Sequence, residues 1–376
     1  MSTPRGRTHT ESAASPRGAR RRRSQVVLDV PQAHEVLARH YAKRSVGRRP
    51  PTVSDVAEIP GGLSNGMYSF TLESAAGASE RRESLVLRVG HSKLQVAREF
   101  DVLRRLQPTP VPVPAVYDVG EDPHGWNFGI MERVDGVNLW EALDGLAHAD
   151  ATELMKQFFG VLAEIHMSDW QRVGLDSLGV PDGVYGYVDA LLAGYRGEAS
   201  QLGTDALDPV LDWMEANRPP SGEYVLLHGD YHGGNVITDG GTIVAVVDWE
   251  GASIGDAAND LCWMPLLWRA FGALGGTDDD QAGLLMQHYR EVVGRDVDNL
   301  DFYLAARAVR LLFYMMMTTA HAAGGGPHRP GAEIMLLDEP PRRCAEVLQQ
   351  KTGIDISLAV AAALDGMRER NHSPGG

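Results

Sequence analysis

Cysteine occurs only twice in this 376-residue chain, at Cys262 and Cys344, with no partner spacing. That excludes a disulfide framework and a cysteine-held zinc site, and it fits a reducing cytoplasm. Long apolar runs are missing too. The longest, LLFYMMM (residues 311–317), directly follows Arg310 and is far shorter than a membrane span, so it reads as a buried helix segment. No G-x-x-x-x-G-K-[ST] string occurs, which removes the P-loop enzymes. No internal repeat is present, and nothing in the chain fixes an oligomeric state.

Charge is unevenly spread. The formal net charge is −15, yet residues 1–25 carry seven arginines against one acid, Glu11. That tail is about +6, so the remainder sits near −21. An acidic body argues against nucleic-acid binding and mildly favours a cationic small substrate, although solubility alone accounts for it. The tail is rich in Ser, Pro, Gly and Arg and is predicted to be disordered. Its run Arg20 to Arg23 is followed by SQVVLDVPQ, too short an apolar stretch for an export signal. The expectation is a cytoplasmic protein with no membrane partner.

At 43% hydrophobic and 23% charged residues, the remainder has an ordinary globular composition. QAHEVLARHYAKRSV (residues 32–46) has helical spacing, and residues 50–136 read as a mainly antiparallel sheet carrying one helix, LQVAREFDVLRRL (94–106). In that reading AAGASERRE (75–83) is a loop and SLVLRVG (84–90) a strand. Helix dominates after Gly136, with predicted helices at 151–170, 187–198, 206–217, 257–271, 281–294, 298–322 and 342–350. The expected fold class is α+β and bilobal: a basic tail at 1–25, a small β-rich lobe at 26–136 and a larger helical lobe at 137–376.

The only strands predicted in the helical half flank VLLHGDYHGGNVITDGGTIVAVVDWEGASIGDAAN (residues 225–259). VLLHGD ends a strand with Asp230 at its exit. Asn235 begins the next strand, Asp239-Gly240-Gly241 turns it, and TIVAVVD returns to deliver Asp248. The three side chains are thus expected at one end of a hairpin. An amide and a carboxylate suit Mg²⁺, and a separate carboxylate can take a proton from an attacking hydroxyl. Asp-x-x-x-x-Asn followed by a second Asp is the order found in a kinase catalytic loop and its metal-binding Asp. Two further parts fit phosphoryl transfer. GGLSNG (61–66) can lie over phosphates through Gly62, Ser64 and Asn65. Arg88, on the third strand, can face phosphate while Glu99 on the next helix fixes it.

HGDYHGGN followed by VVDWEGASIGDAANDL resembles the aminoglycoside phosphotransferase-like kinases, which share the protein-kinase fold. GGLSN, LVLR, AREFDVLRRL, GIMERVDG and LAEIHMSDW extend the likeness over roughly residues 50–270, closest to the branch with Asp-Trp-Glu. The resemblance implies Asp230 as catalytic base and Asn235 with Asp248 as magnesium ligands. It also implies ATP (or GTP) as donor, its base against the hinge around Glu132 and Val134, and a small-molecule hydroxyl as acceptor. Arg88 stands where many members place a Lys, with Lys93 as an alternative cation.

Plainer roles accompany these. His228 reads as a brace for the catalytic loop, His166 as a core histidine, and Asp256 and Asp260 as helix-start and loop-bracing acids. His232 either touches substrate or is a spectator, and Glu250 either assists the metal or is structural. Asp278 to Asp280 read as a solvated helix start, and Trp263, Trp268, Phe271, Tyr303 and Tyr314 as mostly core, with the lining of the acceptor pocket as the alternative for some of them. Two other functions remain open: a degenerate kinase-fold module that binds nucleotide without turnover, and a metallophosphoesterase suggested by the string GDYHG.

Overall fold

The computed structural model describes residues 28–45, 49–59, 66–76, 79–90, 92–272, 279–325 and 332–369. The predicted basic tail, the glycine turn with Gly62, Ser64 and Asn65, and Asp278 lie outside these residues.

The small lobe begins with α1 (Val30–Arg44). Asp29 starts it with a reciprocal cap: its Oδ1 accepts the Gln32 amide at 2.8 Å, and Gln32 Oε1 accepts the Asp29 amide at 2.9 Å. Five strands follow: β1 (Thr52–Glu58), β2 (Gly66–Ala76), β3 (Ser79–Gly90), then, after helix α2 (Lys93–Leu106), β4 (Val116–Glu121) and β5 (Asn127–Glu132). They form one antiparallel sheet in the order β1-β2-β3-β5-β4. In the segment expected as a loop at 75–83, residues 75–76 and 79–83 instead extend β2 and β3, with Ala76 paired to Ser79.

Strand alternation sorts the side chains of β3. Leu85, Leu87 and Val89 pack with Ala33, Val36 and Leu37 of α1. Val86 faces the other way, into the core shared with α2 and the helical lobe, and Arg88 keeps that phase. Opposite Arg88 in the ladder stands Gly129, where the Phe100 ring fills the space: a Cβ there would meet Phe100 Cζ at 2.1 Å.

The larger lobe contains β6 (Val137–Asn138), α3 (Leu139–Leu143), α4 (His148–Met167), α5 (Gly186–Leu202) and α6 (Asp208–Ala216). Next come β7 (Val225–Leu227), β8 (Val236–Asp239), β9 (Thr242–Val246) and β10 (Ser253–Gly255). Helices α7 (Ala257–Leu261), α8 (Trp263–Phe271), α9 (Asp279–Val293), α10 (Leu300–Ala323), α11 (Glu339–Thr352) and α12 (Ser357–Glu369) complete it. α10 is buried along most of its length and packs with α5, α6, α8, α11 and α12 around one core. Among the described residues no helix is long and apolar enough to cross a membrane.

Around the opening motif the structure departs from the expected hairpin. β8 and β9 do pair, turned by Gly240 and Gly241 at φ +54° and +83°, but β7 pairs with β10 instead, Leu226 opposite Ile254. Asn235 closes a one-turn 3₁₀ helix rather than opening β8. A two-stranded sheet (β10-β7) and a three-stranded one (β6-β8-β9) therefore meet at the motif, and the loops between them carry its polar residues.

α1 is pinned to the sheet by His40, whose Nε2 lies 2.8 Å from Asp118 Oδ2. Burial, aided by Arg44 and Lys43, pulls the imidazole from 6.5 down to about 4. A depressed folded value means that this group supports the fold above about pH 6.5 and loses that support as pH falls through about 4. His40→Gln should therefore give a flatter decline in thermal stability across that window than the wild-type chain. Equal slopes in melts at stepped pH would remove His40 from the acid response.

Candidate active site

The loop after β7 is built on backbone hydrogen bonds to buried side chains. Asp260, on α7, accepts the amides of His228 at 2.7 Å and Gly229 at 3.0 Å. Its Oδ1 also takes Arg307 Nη2 at 3.0 Å, and His166 Nε2 lies 3.5 Å from its Oδ2. Arg307, buried on α10, further donates to the carbonyls of Asn259 at 2.7 Å and Gly229 at 2.9 Å. Burial alone would raise the Asp260 carboxyl; His166 and Arg307 outweigh it and hold it low. Gly229 itself must lack a side chain. Its φ is +86°, and a Cβ would sit 2.2 Å from the Gly251 carbonyl oxygen.

His228 is fully buried, and burial keeps its imidazole below the ordinary range. Nε2 is 2.9 Å from the Val247 carbonyl, and Nδ1 accepts the Asp230 amide at 3.2 Å. A neutral ring with one donor and one acceptor satisfies both contacts. His228 thus joins the two loops that carry the acids, as a brace.

Asp230 emerges from this support with its side chain about one-third exposed (34%). Trp263 Nε1 donates to its Oδ1 at 2.7 Å. Asn235 Nδ2 donates to the Asp230 carbonyl at 2.9 Å and lies 3.4 Å from Oδ2, while His232 Nε2 lies 3.5 Å from the same oxygen. Burial works to raise the carboxyl, but hydrogen bonding from the neighbouring His232 and the charge of the Arg307 guanidinium hold it well below the usual carboxylate range. His232 is raised in turn by Asp230, against its own burial. Its Nδ1 accepts the Gly234 amide at 3.0 Å and its ring stacks on Trp140, so it is anchored in the loop.

Asp248 follows β9 in a left-handed conformation, φ +65° and ψ +59°, which costs about 1 kcal/mol in a residue with a side chain. The Val247 amide donates to the Asn235 carbonyl at 2.9 Å, so Asp248 leaves the strand beside Asn235. The structure thereby brings Asp230, Asn235 and Asp248 into one neighbourhood, with Asn235 touching the first directly. Asn235 spends its amide nitrogen on Asp230, which leaves its oxygen as the atom able to ligate a metal.

Arg88 reaches across from the small lobe. Its Nε is 2.6 Å from Glu99 Oε2, and Nη2 is 2.9 Å from both Asp248 Oδ1 and Glu250 Oε2. Arg88 and Glu99 are both buried. Burial pushes the Glu99 carboxyl up; Arg88 pulls it down, and Asp248 and Glu250 add to the rise. Lys93 is exposed and pairs with Glu121 at 3.0 Å.

At the hinge, the Glu132 amide donates to the Ala115 carbonyl at 2.8 Å and the Arg133 amide to Ser84 at 3.2 Å. The Glu132 carboxylate accepts the Ala115 amide at 3.1 Å. Glu132 is therefore spent on strand structure, whereas the Val134 amide, like those of Asp135 and Gly136, has no backbone acceptor among the described residues. His166 is buried, with Nδ1 2.6 Å from Tyr289 Oη. Asp256 caps α7 through the Ala258 amide. Among the described residues no group of three or more His, Cys, Asp or Glu is placed to hold a metal, so the donor set of a dinuclear phosphoesterase is not assembled there.

The sequence reading missed Arg307 entirely and grouped Trp263 with aromatics of the core or the acceptor pocket. Arg307 carried a signal: LAARAVRLLF sets two arginines, Arg307 and Arg310, inside an otherwise apolar helical stretch, and a buried guanidinium needs acceptors.

A family model described as "Phosphotransferase enzyme family" matches residues 55–297. Acyl-CoA dehydrogenase family member 10 of Mus musculus is 26% identical over 284 residues, covering 70% of this chain and 26% of that protein. Hygromycin-B 4-O-kinase of Escherichia coli is 26% identical over 251 residues, covering 57% of this chain and 64% of the kinase. The chain thus spans about a quarter and just under two thirds of these two relatives. A Ralstonia eutropha structure assigned to the aminoglycoside phosphotransferases superposes with a TM-score of 0.66 at 23% identity, over 85% of this chain and 98% of that one. The fold is the two-lobed protein-kinase-like one expected.

Replacing Arg307 with Met should cost about 3–5 kcal/mol, because Asp260 is left buried without its cation. Denaturant melts monitored by far-UV circular dichroism would measure it. A cost below about 1 kcal/mol, the range of an exposed pair, would show that Arg307 is not the support described here.

Proposed function

This chain belongs to the phosphotransferase enzyme family, and from that premise we propose that it transfers the γ-phosphoryl group of ATP or GTP to a hydroxyl of an antibiotic or metabolite. The observation that carries this reading is the junction of Asp230 with Asn235, at 2.9 and 3.4 Å, beside the Asp248 that Arg88 ties to the small lobe.

Asp230 receives the proton of the acceptor hydroxyl. The hydroxyl oxygen bonds to the γ-phosphorus as the bond to the β-phosphate bridging oxygen breaks, and the nucleoside diphosphate leaves. Because its neighbours keep Asp230 ionised, the carboxylate orients the hydroxyl before it takes the proton. The donor set fits magnesium: Asn235 offers an amide oxygen, and Arg88 occupies only one oxygen of Asp248. When bound, the ion would neutralise charge on the phosphates. Arg88 offers the phosphates a fixed cation, held by Glu99. The glycine turn with Gly62, Ser64 and Asn65 would cover them, and the base would meet the hinge at Val134 rather than at the Glu132 amide.

A nucleotide-binding module without turnover is the second reading. What favours it is that the Arg88 guanidinium is already shared among Glu99, Asp248 and Glu250.

A panel containing hygromycin B and hydroxyacyl thioesters, each with Mg-ATP and Mg-GTP, should yield a compound that gains the mass of a phosphate as nucleotide is consumed. Tight nucleotide binding with no consumption across the panel would favour the second reading. Asp230→Asn should lower turnover by on the order of 10²–10⁴ while nucleotide still binds; full turnover would remove Asp230 as base. Asp248→Ala should abolish the magnesium dependence of nucleotide binding, and an unchanged magnesium titration would contradict that role.

A further inference from the structure

We propose that Trp263 is a positioning residue for Asp230, holding one carboxylate oxygen so that the other is presented to the acceptor hydroxyl. The inference rests on the reading of Asp230 as the base.

The geometry separates the two oxygens. Oδ1 takes the indole N–H at 2.7 Å, a short bond to a charged acceptor. Among the described residues Oδ2 has two long approaches, Asn235 Nδ2 at 3.4 Å and His232 Nε2 at 3.5 Å. A carboxylate turns about its last torsion over a broad range unless something holds it. Here the indole is the strongest side-chain hold on that torsion.

Trp263 is itself well fixed. It opens α8 and is buried, and Tyr314 packs against it with centroids 6.5 Å apart. The Arg307 guanidinium lies 5.0 Å from its ring centroid. A cation over an indole face draws electron density from the ring and makes its N–H a better donor. The same Arg307 binds the Gly229 carbonyl. One arginine therefore sets both the loop on which Asp230 stands and the donor that orients it. Tryptophan has a single donor and no acceptor, so the contact can run in only one direction.

The test needs no identified acceptor, because ADP formation from Mg-ATP with water as acceptor reports the same base. Trp263→Phe, which keeps an aromatic filler and deletes the donor, should lower kcat by on the order of 10- to 100-fold, the worth of a hydrogen bond to a charged group. KM for ATP should stay within about twofold, since an interaction made for the chemical step leaves ground-state binding alone. In the Asp230→Asn background the same change should add little, because Trp263 acts through the carboxylate it holds. A multiplicative loss in that background would assign Trp263 to general structure and overturn the inference.

If the Phe variant folds poorly, a 3-benzothienylalanine installed at position 263 has nearly the indole shape without the N–H, and the same loss is expected from it. A wild-type rate with that residue would also overturn the inference. Separately, the Trp263 indole proton should resonate downfield in NMR spectra and move upfield in Asp230→Asn; an unmoved proton would show that the hydrogen bond is not made in solution. The two readings fail apart. Full turnover by Asp230→Asn defeats the base assignment, whereas a slow Asp230→Asn beside a wild-type Trp263→Phe defeats only the positioning role.

Discussion

Asp260 accepts two successive backbone amides, those of His228 and Gly229, and is itself held by Arg307. A carboxylate taken out of water is costly unless its lone pairs are filled, and here backbone and guanidinium fill them together. The loop cannot shift without exposing those amides or stranding the charge. Every later feature of the site inherits its place from that arrangement. His228 then bonds forward to Val247 and the Asp230 amide, which ties the loop after β7 to the loop after β9. A core histidine, His166, stands behind the same carboxylate and links it to α4 and α9. The chemically competent face is thus thin, and most of the polar investment lies behind it.

The second constraint spans the lobes. Arg88 projects from β3 on the face opposite α1, meets Glu99 from α2, and ends on Asp248 and Glu250. A Lys ammonium is a compact point charge; a guanidinium has donors in a planar fork and can serve several acceptors at once. That geometry suits arginine at a position where the family resemblance led one to expect lysine: Nε meets Glu99, Nη2 meets both Asp248 and Glu250, and Nη1 turns to the Met67 sulfur at 3.9 Å. One cation facing three carboxylates also leaves an acidic surplus in the cleft, which would suit the divalent ion proposed for it.

Much of this could be read from residue order, for identifiable reasons. Helical periodicity is strong in α2, α4 and α10, and strand alternation in β2 and β3, so the two lobes and the sheet-plus-helix composition were legible. The acids and the amide stand close in the chain, and their convergence depended on one short hairpin with an Asp-Gly-Gly turn. Long-range pairing was not legible. β7 and β10 are three residues each, and their pairing is fixed by the core behind them rather than by their own pattern. The extension of β2 through Ala76 and of β3 from Ser79 ran against a stretch rich in Ala, Gly and charge, where cross-strand pairing decided the outcome over local propensity. Trp263 looked like core because it is core; only the direction of its indole nitrogen distinguishes it, and spacing carries no information on that.

The seating of Phe100 over Gly129 has an evolutionary corollary. With the ring occupying the volume above the strand, any side chain at 129 would collide with it, and no backbone adjustment of a few tenths of an ångström would make room. The two positions are consequently locked as a pair. A homologue that gains a methyl at 129 must shrink the residue at 100, and the lineage must take the second change first or pass through a poorly folded intermediate. Ancestral reconstruction would read this as a one-way order of substitutions where α2 packs on β5, set by steric exclusion alone.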